Sequence, residues 1–571
     1  VIKQHAYSVA GFEVKTRQPV FSNSIHPNPL LNRLYQARGI EHPDELQTDI
    51  TGLLDWRTLK GINEAVDLCM QARQQQYRVV VVGDYDADGA TSTALAMLGL
   101  SAMGINVSYV LPNRFEYGYG LSVPIVDLTL QQKPDLIITV DNGISSFEGV
   151  AHAKKHGVKV LVTDHHLAAD SLPGADAIVN PNQPGCRFES KAACGCMVMF
   201  YLLIALRARL REQGETALPN LAQWLDLVAL ATVADVVPLD RNNRLIVQNG
   251  LQRVRQGRMR PGIQALFDVS GRDWQNARSA DFGFCVGPRL NAAGRLGDMS
   301  LGVQLLLTDD PGEARAIATE LHELNSERRQ IEASMLQEVE PALAAVKIVE
   351  QSSSQVVYGD NWHEGVIGIV ASRVKEQLHC PVVAFARSDS GELKGSARSV
   401  SGVHLRDCLD WISKQQKDLI LKFGGHAMAA GLSIHEAELE SFKLWFDKAV
   451  QYFAEPEALT PQLWVDGVLE RGDLSLENAL QLEQAGPWGQ AFPSPAFYGE
   501  WPVADSRVLS GKHLKLTLQA DDQLIAAIAF NVPEACALAD IRRVKGVYEI
   551  SCNRFRGETT LQLVFSKLEV C

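Results

Sequence analysis

The sequence predicts an α/β protein: a parallel-sheet domain, joined by a long helix to a second, smaller α/β domain and followed by an all-β barrel. Three observations carry this. Hydrophobic strand-like runs alternate with helical ones from residue 79 to 166, one amphipathic helical stripe starts near residue 311, and beyond residue 462 strands follow one another with only turns between. At 571 residues the chain exceeds one ordinary core. The division read from these shifts is an N-terminal segment (1–48), the parallel-sheet domain (49–308), a connecting helix (309–347), the second α/β domain (348–455) and the β module (456–571).

The elements follow in order. Residues 1–70 read as helical and partly loop-like. VVVVGDYD, VSYVLPN, LIITVDNG and VKVLVTDHH are strands, each Val- and Ile-rich enough to be buried on both faces, and the segments between them are helices, the pattern of a parallel sheet covered on both sides. CMVMFYLLIALRARL is too apolar for a surface helix and reads as a core one. From Asp310-Pro311 a helix is predicted with Ile317, Leu321, Leu324, Ile331 and Met335 on one stripe and Pro341 at its end. The second domain runs from QVVYGDNW to AELESFKLWFDKAVQYF, and AEPEALTPQ (454–462) is a linker. LWVDGVLE, AFYGEWPVADSRVLS, KHLKLTLQ, QLIAAIAFN, GVYEISCNRFRG and TTLQLVFSKLEV are the strands of the last module.

Composition excludes several classes. No apolar stretch has membrane length and the first residues carry no apolar signal core, so neither a membrane span nor export is expected and the predicted location is cytoplasmic. Ten Cys without regular spacing predict reduced thiols; Cys194 and Cys196 read as packing near a helix start rather than as metal ligands. The net charge of -13 says little about one groove, whereas residues 241–300 hold ten Arg, no Lys, no Glu and four Asp. That stretch is read either as a grip on a polyanion or, for Arg253, Arg255, Arg258 and Arg260, as a solvated helical face.

The chemistry lies where strands end. Carboxyl ends of adjacent parallel strands face one crevice, so Asp84, Asp86 and Asp88 after the first strand, Asp141 after the third, and Asp164-His165-His166 after the fourth converge. Three acids within five residues repel one another without cations, and DYDADG lacks the continuation of a calcium loop. Alternating along a chain that leaves a strand, two of the three can point into the crevice. Oxygen ligands with an imidazole suit two Mn²⁺ or Mg²⁺ ions that clamp the attacking and leaving oxygens of a phosphodiester. Asp141 is the natural bridge between them, His165 the imidazole ligand, Asp164 its orienter and His166 a group that polarises substrate. Asp84 is either a ligand or a support for one. Asp235, after LVALATVA, is either a ligand or a cap.

These motifs resemble the DHH phosphoesterase superfamily. With ATVADVVPL (231–239), GPRLNAAGR (287–295) and FGGHAMAAG (423–431) in order, the chain resembles, over roughly residues 50–450, the RecJ single-strand-specific exonucleases within it. The resemblance implies that Asp86, Asp88, Asp141, His165 and Asp235 hold the cations. It implies an oligonucleotide-binding (OB-like) barrel at the end, and removal of 5'-mononucleotides from the 5' end of single-stranded DNA. It also implies work beside a helicase and a single-stranded-DNA-binding protein in recombination and mismatch repair. Arg289, Asn291 and Arg295 of GPRLNAAGR would contact the substrate, although Arg289 can instead pair with a metal-site acid. Gly424, Gly425 and His426 resemble the phosphate-binding loop of the DHH-associated domain, supported by Arg373, Ser396 and Arg398. Trp488 and Phe492 either stack on bases or fill a core. Two alternatives use the same features: a DHH phosphodiesterase of short oligoribonucleotides or cyclic dinucleotides, and a non-catalytic replication scaffold. The C-terminal β module argues against the first and the complete acid set against the second.

Overall fold

The structure is a computed structural model describing residues 7–20, 23–111, 117, 120–346, 352–388, 391–455, 457–532 and 541–571. Its first sheet has five parallel strands, β3 (Val79–Val82), β4 (Val107–Val110), β5 (Leu136–Val140), β6 (Lys159–Thr163) and β7 (Ala177–Val179), in the order β4-β3-β5-β6-β7. Every residue of β3 and β5 is buried, as their uninterrupted Val and Ile runs require. The chain goes from β3 to β4 on one side and returns to β5 on the other, so the order reverses beside β3. A crevice opens there at the carboxyl ends. The strand β7, three residues long, is an element the periodicity does not reveal.

The helix Pro311–Val346 is continuous over 36 residues and runs through Pro341 rather than ending there. Ile317 and Leu321 pack in the first core, and Met335 and Ile331 in the core of the second domain, so one helix is common to both. The second sheet contains β8 (Gln355–Gly359), β9 (Val382–Arg387), β10 (Glu392–Arg398), β11 (Lys422–Gly425) and β12 (Ala429–His435), ordered β11-β12-β10-β9-β8. Only β8 and β9 pair in parallel. The last module is a closed barrel of β14 (Phe497–Leu509), β15 (His513–Ala520), β16 (Gln523–Ala529), β17 (Arg543–Phe555) and β18 (Glu558–Val570). Closure leaves it no free edge.

The N-terminal reading is corrected by the structure. Tyr7–Val9 (β1) and Phe12–Thr16 (β2) form a hairpin, and β2 pairs in parallel with β13 (Gln462–Val465). The first part of LWVDGVLE is therefore β13, a partner of the N-terminal strands rather than a stave of the barrel. Arg38 donates through both terminal nitrogens to the two carboxylate oxygens of Asp466 (3.0 and 2.9 Å), and both side chains are 1% exposed. The β module also holds a helix, Leu476–Ala485. Trp488 and Phe492 fill this junction: they stack at 5.2 Å, and Tyr35 lies against both. Core filling, not base stacking, is their role.

The Arg-rich stretch is scaffold as well. Arg255 donates to the Ala277 carbonyl, Arg253 to that of Gln223, and Arg260 to those of Leu306, Leu307 and Thr308, closing the end of the helix Ser300–Leu307. Cys194 and Cys196 are buried free thiols. No helix among the described residues is long and apolar enough to cross a membrane.

Candidate metal centre

The acids converge in the crevice beside β3, but not by alternation along an extended chain. A helix, Ala87–Ala102, begins at once: Asp86 is its N-cap, accepting from the Gly89 amide (3.0 Å), and Asp88 lies in its first turn. Asp88 is almost wholly buried and points at another helix, Gly195–Glu212, whose first amides, Gly195 (2.6 Å) and Cys196 (2.9 Å), donate to its two oxygens. A helix N-terminus is suited to a carboxylate. Gly195 is required there because a Cβ would lie 2.6 Å from the Cβ of Asp141 and 2.8 Å from its Cα. The sequence marks Cys194-Gly195-Cys196 as a helix start, yet weighing the thiols alone misses that the backbone N–H groups hold the acid.

Asp141 leaves β5 with φ +63°, the left-handed region that Asp tolerates better than most residues, and this turns its carboxylate toward His165. The His165 Nε2 lies 3.1 Å from Asp141 Oδ1, 3.6 Å from Asp235 Oδ2 and 3.9 Å from Asp88 Oδ2. Asp235 is the C-cap of the helix Leu225–Ala234. Three buried atoms, Asp141 Oδ1, His165 Nε2 and Asp235 Oδ2, have no hydrogen-bond partner although they face one another. Buried polar atoms normally find partners, so three orphans in one crevice fit a site built for cations. Two groups qualify geometrically as cation cages, Asp141 with His165 and His166, and Asp88 with His165 and Asp235. Asp84, buried, has its carboxylate on the Tyr85 amide at 2.7 Å.

Electrostatics agrees with the geometry. Burial, and next the neighbouring acids, push the carboxyls of Asp84, Asp88, Asp141 and Asp235 upward. Burial lowers His165 to about 4, leaving a neutral imidazole whose Nε2 can ligate; a backbone hydrogen bond with Ala193 holds the ring. Asp164 does not orient His165, as the sequence reading expects. It accepts from His166 Nδ1 (2.8 Å) and from the amides of both histidines. Burial works against the charge on His166, but Asp164 outweighs it and raises the imidazolium to about 9.

These shifts make a stability prediction. His166 contributes stability that is present below its ordinary 6.5 and is lost as pH rises toward about 9, and the raised carboxyls lose stability in the same direction. His165, held low, acts oppositely but only below 6.5. Between pH 6.5 and 9 the chelated protein should melt at progressively lower temperature, and saturating Mn²⁺ should raise the melting temperature and flatten the slope. Calorimetry with and without EDTA checks this; identical slopes would count against a cation cage.

The GPRLNAAGR helix, Gly287–Leu296, serves the acids more than a phosphate. Asn291 Oδ1 accepts from the Ala87 amide (2.8 Å), clamping the loop between Asp86 and Asp88, and Gly294 lets the helix approach Tyr85, whose carbonyl would be 1.9 Å from a Cβ. Arg289 is buried: it donates to the Cys285 carbonyl (2.6 Å) and toward His322 Nδ1, so its fork does not reach an open surface as the expected contact with substrate requires, and the alternative pairing with a metal-site acid does not form either. Arg295 donates to the Gly365 carbonyl (3.0 Å), which ties the two α/β domains together. Arg373 is shared between Glu332 and Glu376.

Across the crevice stands the second domain. The exposed His426 ring lies 6.4 Å from that of His166, nearly parallel to it. Gly424 and Gly425 lie on β11, an edge strand. Successive amides of a strand point to opposite sides, so one of the two faces away from β12. Arg398 rests on Ser396 Oγ (3.0 Å) over Gly368, in the first turn of the helix Ile367–Leu378. Of the residues expected to touch substrate, His426, Ser396, Arg398 and the two glycines share this wall.

Comparison with known proteins follows the same division. Residues 78–232 match the DHH family N-terminal domain, 346–454 the DHHA1 domain and 465–567 the RecJ OB domain. The chain is 48% identical to the single-stranded-DNA-specific exonuclease RecJ of Salmonella typhimurium over 554 residues, 95% of this chain and 96% of that protein. The crystal structure of RecJ from Thermus thermophilus in complex with Mn²⁺ superposes with a TM-score of 0.79 at 31% identity, covering 96% of this chain and 77% of the other. The same protein in complex with Mg²⁺ gives 0.74 at 30% identity, over 96% and 76%.

Proposed function

Because the chain belongs to the RecJ family of single-stranded-DNA-specific exonucleases, we propose that it removes 5'-mononucleotides from the 5' end of single-stranded DNA with two divalent cations, Mn²⁺ or Mg²⁺, held by Asp86, Asp88, Asp141, His165 and Asp235. The observation that carries the cation assignment is the set of orphaned buried atoms on Asp141, His165 and Asp235. Cations bound there supply Lewis acidity toward the attacking water and neutralise charge on the phosphoryl oxygens. Asp84 supports the acidic loop. His166, kept protonated by Asp164, offers its Nε2–H to a phosphoryl oxygen, and His426, Ser396, Arg398 and the outward amide of the Gly424-Gly425 pair hold a phosphate on the opposite wall. Arg289 and Asn291 position the helix and loop behind these groups. The domain division 1–48, 49–308, 309–347, 348–455 and 456–571 remains part of the reading, with the first and last segments docked on each other. A cytoplasmic location, and partnership with a helicase and a single-stranded-DNA-binding protein, are supported by family membership alone.

The test compares single-stranded DNA, short RNA and pyrophosphate as substrates, each with Mn²⁺, Mg²⁺ or EDTA. Cation-dependent release of mononucleotides from 5'-labelled single strands is expected, and preference for RNA or pyrophosphate would overturn the reading. In the same assay His426→Ala should lower kcat/KM roughly 10- to 100-fold, the cost of one lost charge-assisted contact. Unchanged turnover would make the glycine-rich hairpin structural.

A further inference from the structure

The segment Phe282–Val286 is a π-helical turn. Such turns insert a residue into a helix, are energetically poor, and persist where the inserted geometry serves a purpose. Here the result is one displaced ring. Phe282 and Val286 are fully buried, and Phe284 between them is 77% exposed. The turn is firmly held: Gly283 and Gly287 sit against Val233 and Ala234, in the last turn of the helix capped by Asp235, and the buried Arg289 donates to the Cys285 carbonyl. Phe284 is thus fixed to the same helix end as a metal-site acid.

Its surroundings are not those of an incidental surface ring. Phe284 lines a cavity of about 1170 Å³ that opens between the first domain, the long helix, the second domain and the barrel. Arg295, Arg328, Arg329, Arg373 and Lys512 line it, against Glu332 and Glu340. Arg328 and Arg373 pair with Glu332 and Arg295 holds the Gly365 carbonyl, so the exposed Arg329 and Lys512 are the cations that face a phosphate backbone, and the volume exceeds that of ordinary small-ligand pockets. An exposed aromatic in a basic channel is what a sequence-tolerant strand binder uses to stack bases.

We propose that Phe284 is a base-stacking platform, presented by the π turn, that sets the register of the strand entering the metal centre. This rests on the single-stranded-DNA reading above. The role also accounts for Arg289 and the close glycine contacts: they hold the turn that aims the ring.

The test is a cycle between protein and DNA. With cations chelated, binding of a fluorescent oligothymidylate is measured by anisotropy while a single abasic site is moved along it, for the wild-type chain, Phe284→Ala and Phe284→Trp. One position is expected at which base removal weakens wild-type binding roughly 5- to 100-fold. Phe284→Ala should weaken binding of the intact oligonucleotide by a similar factor and show no further loss with the abasic site at that position, whereas Phe284→Trp should behave as wild type. Wild-type affinity in Phe284→Ala, or an equal abasic penalty in both proteins, overturns the proposal. A wild-type chain that neither binds nor cuts single strands overturns instead the reading on which it rests. Because the side chain is exposed, the variants should melt as wild type does, so a loss of binding reports the ring.

Discussion

Asp141→Asn should abolish cleavage, on the order of 10³-fold or more in kcat, while leaving single-stranded DNA bound. Asp141 Oδ1 is 3.1 Å from His165 Nε2 and has no hydrogen-bond partner of its own, so its negative charge is aimed at a cation. Asn is the informative replacement, because the residue sits at φ +63° and Asn accepts that conformation with little strain. Ala would mix lost charge with backbone cost. Affinity is spread over many phosphate contacts and should fall little. Turnover near wild type by a variant with unchanged melting would remove Asp141 from the metal centre.

Gly195→Ala is the second large effect, and it replaces no titratable residue. A methyl there would stand 2.6 Å from the Asp141 Cβ, with backbone beside it that cannot swing away. The helix Gly195–Glu212 must retreat, withdrawing the two amides that hold Asp88 and displacing Asp141 together. A misplacement of about 1 Å costs roughly 100-fold in rate, and two displaced acids should cost at least that. Titration with Mn²⁺ separates the causes: the variant should need much higher concentrations for half-maximal activity, with a partial return of rate at saturation. Full activity at ordinary Mn²⁺ would show that the helix end is not what orders the acids.

The acids at strand ends were legible because a parallel sheet brings carboxyl ends together whatever lies between them in sequence. Asp141, His165 and Asp235 needed no more than that and the resemblance. Most of what supports them was not legible, since it depends on which helix end meets which strand. Asp88 on the Gly195 and Cys196 amides and Asn291 on the Ala87 amide are tertiary facts, whereas Asp86 as an N-cap is a local contact with the Gly89 amide. The arginines show the same limit from the other side: composition marks residues 241–300 as basic, but whether a guanidinium meets a phosphate or a carbonyl depends on the helix ends nearby, and Arg253, Arg255 and Arg260 meet carbonyls. Where the hairpin at residues 7–16 docks is invisible to local periodicity because the strand it joins begins at Gln462.

That pairing has a consequence in time. Arg38 emerges from the ribosome roughly 430 residues before Asp466, which at ordinary synthesis rates is a wait of about 20 to 90 s for a side chain that ends up almost wholly dry. Through that interval β2 lacks its partner β13, while all of the strand-end acids and the helix that clamps their loop are made. The ligands of the metal centre are therefore all present on a nascent chain before the early strands and the barrel module can meet.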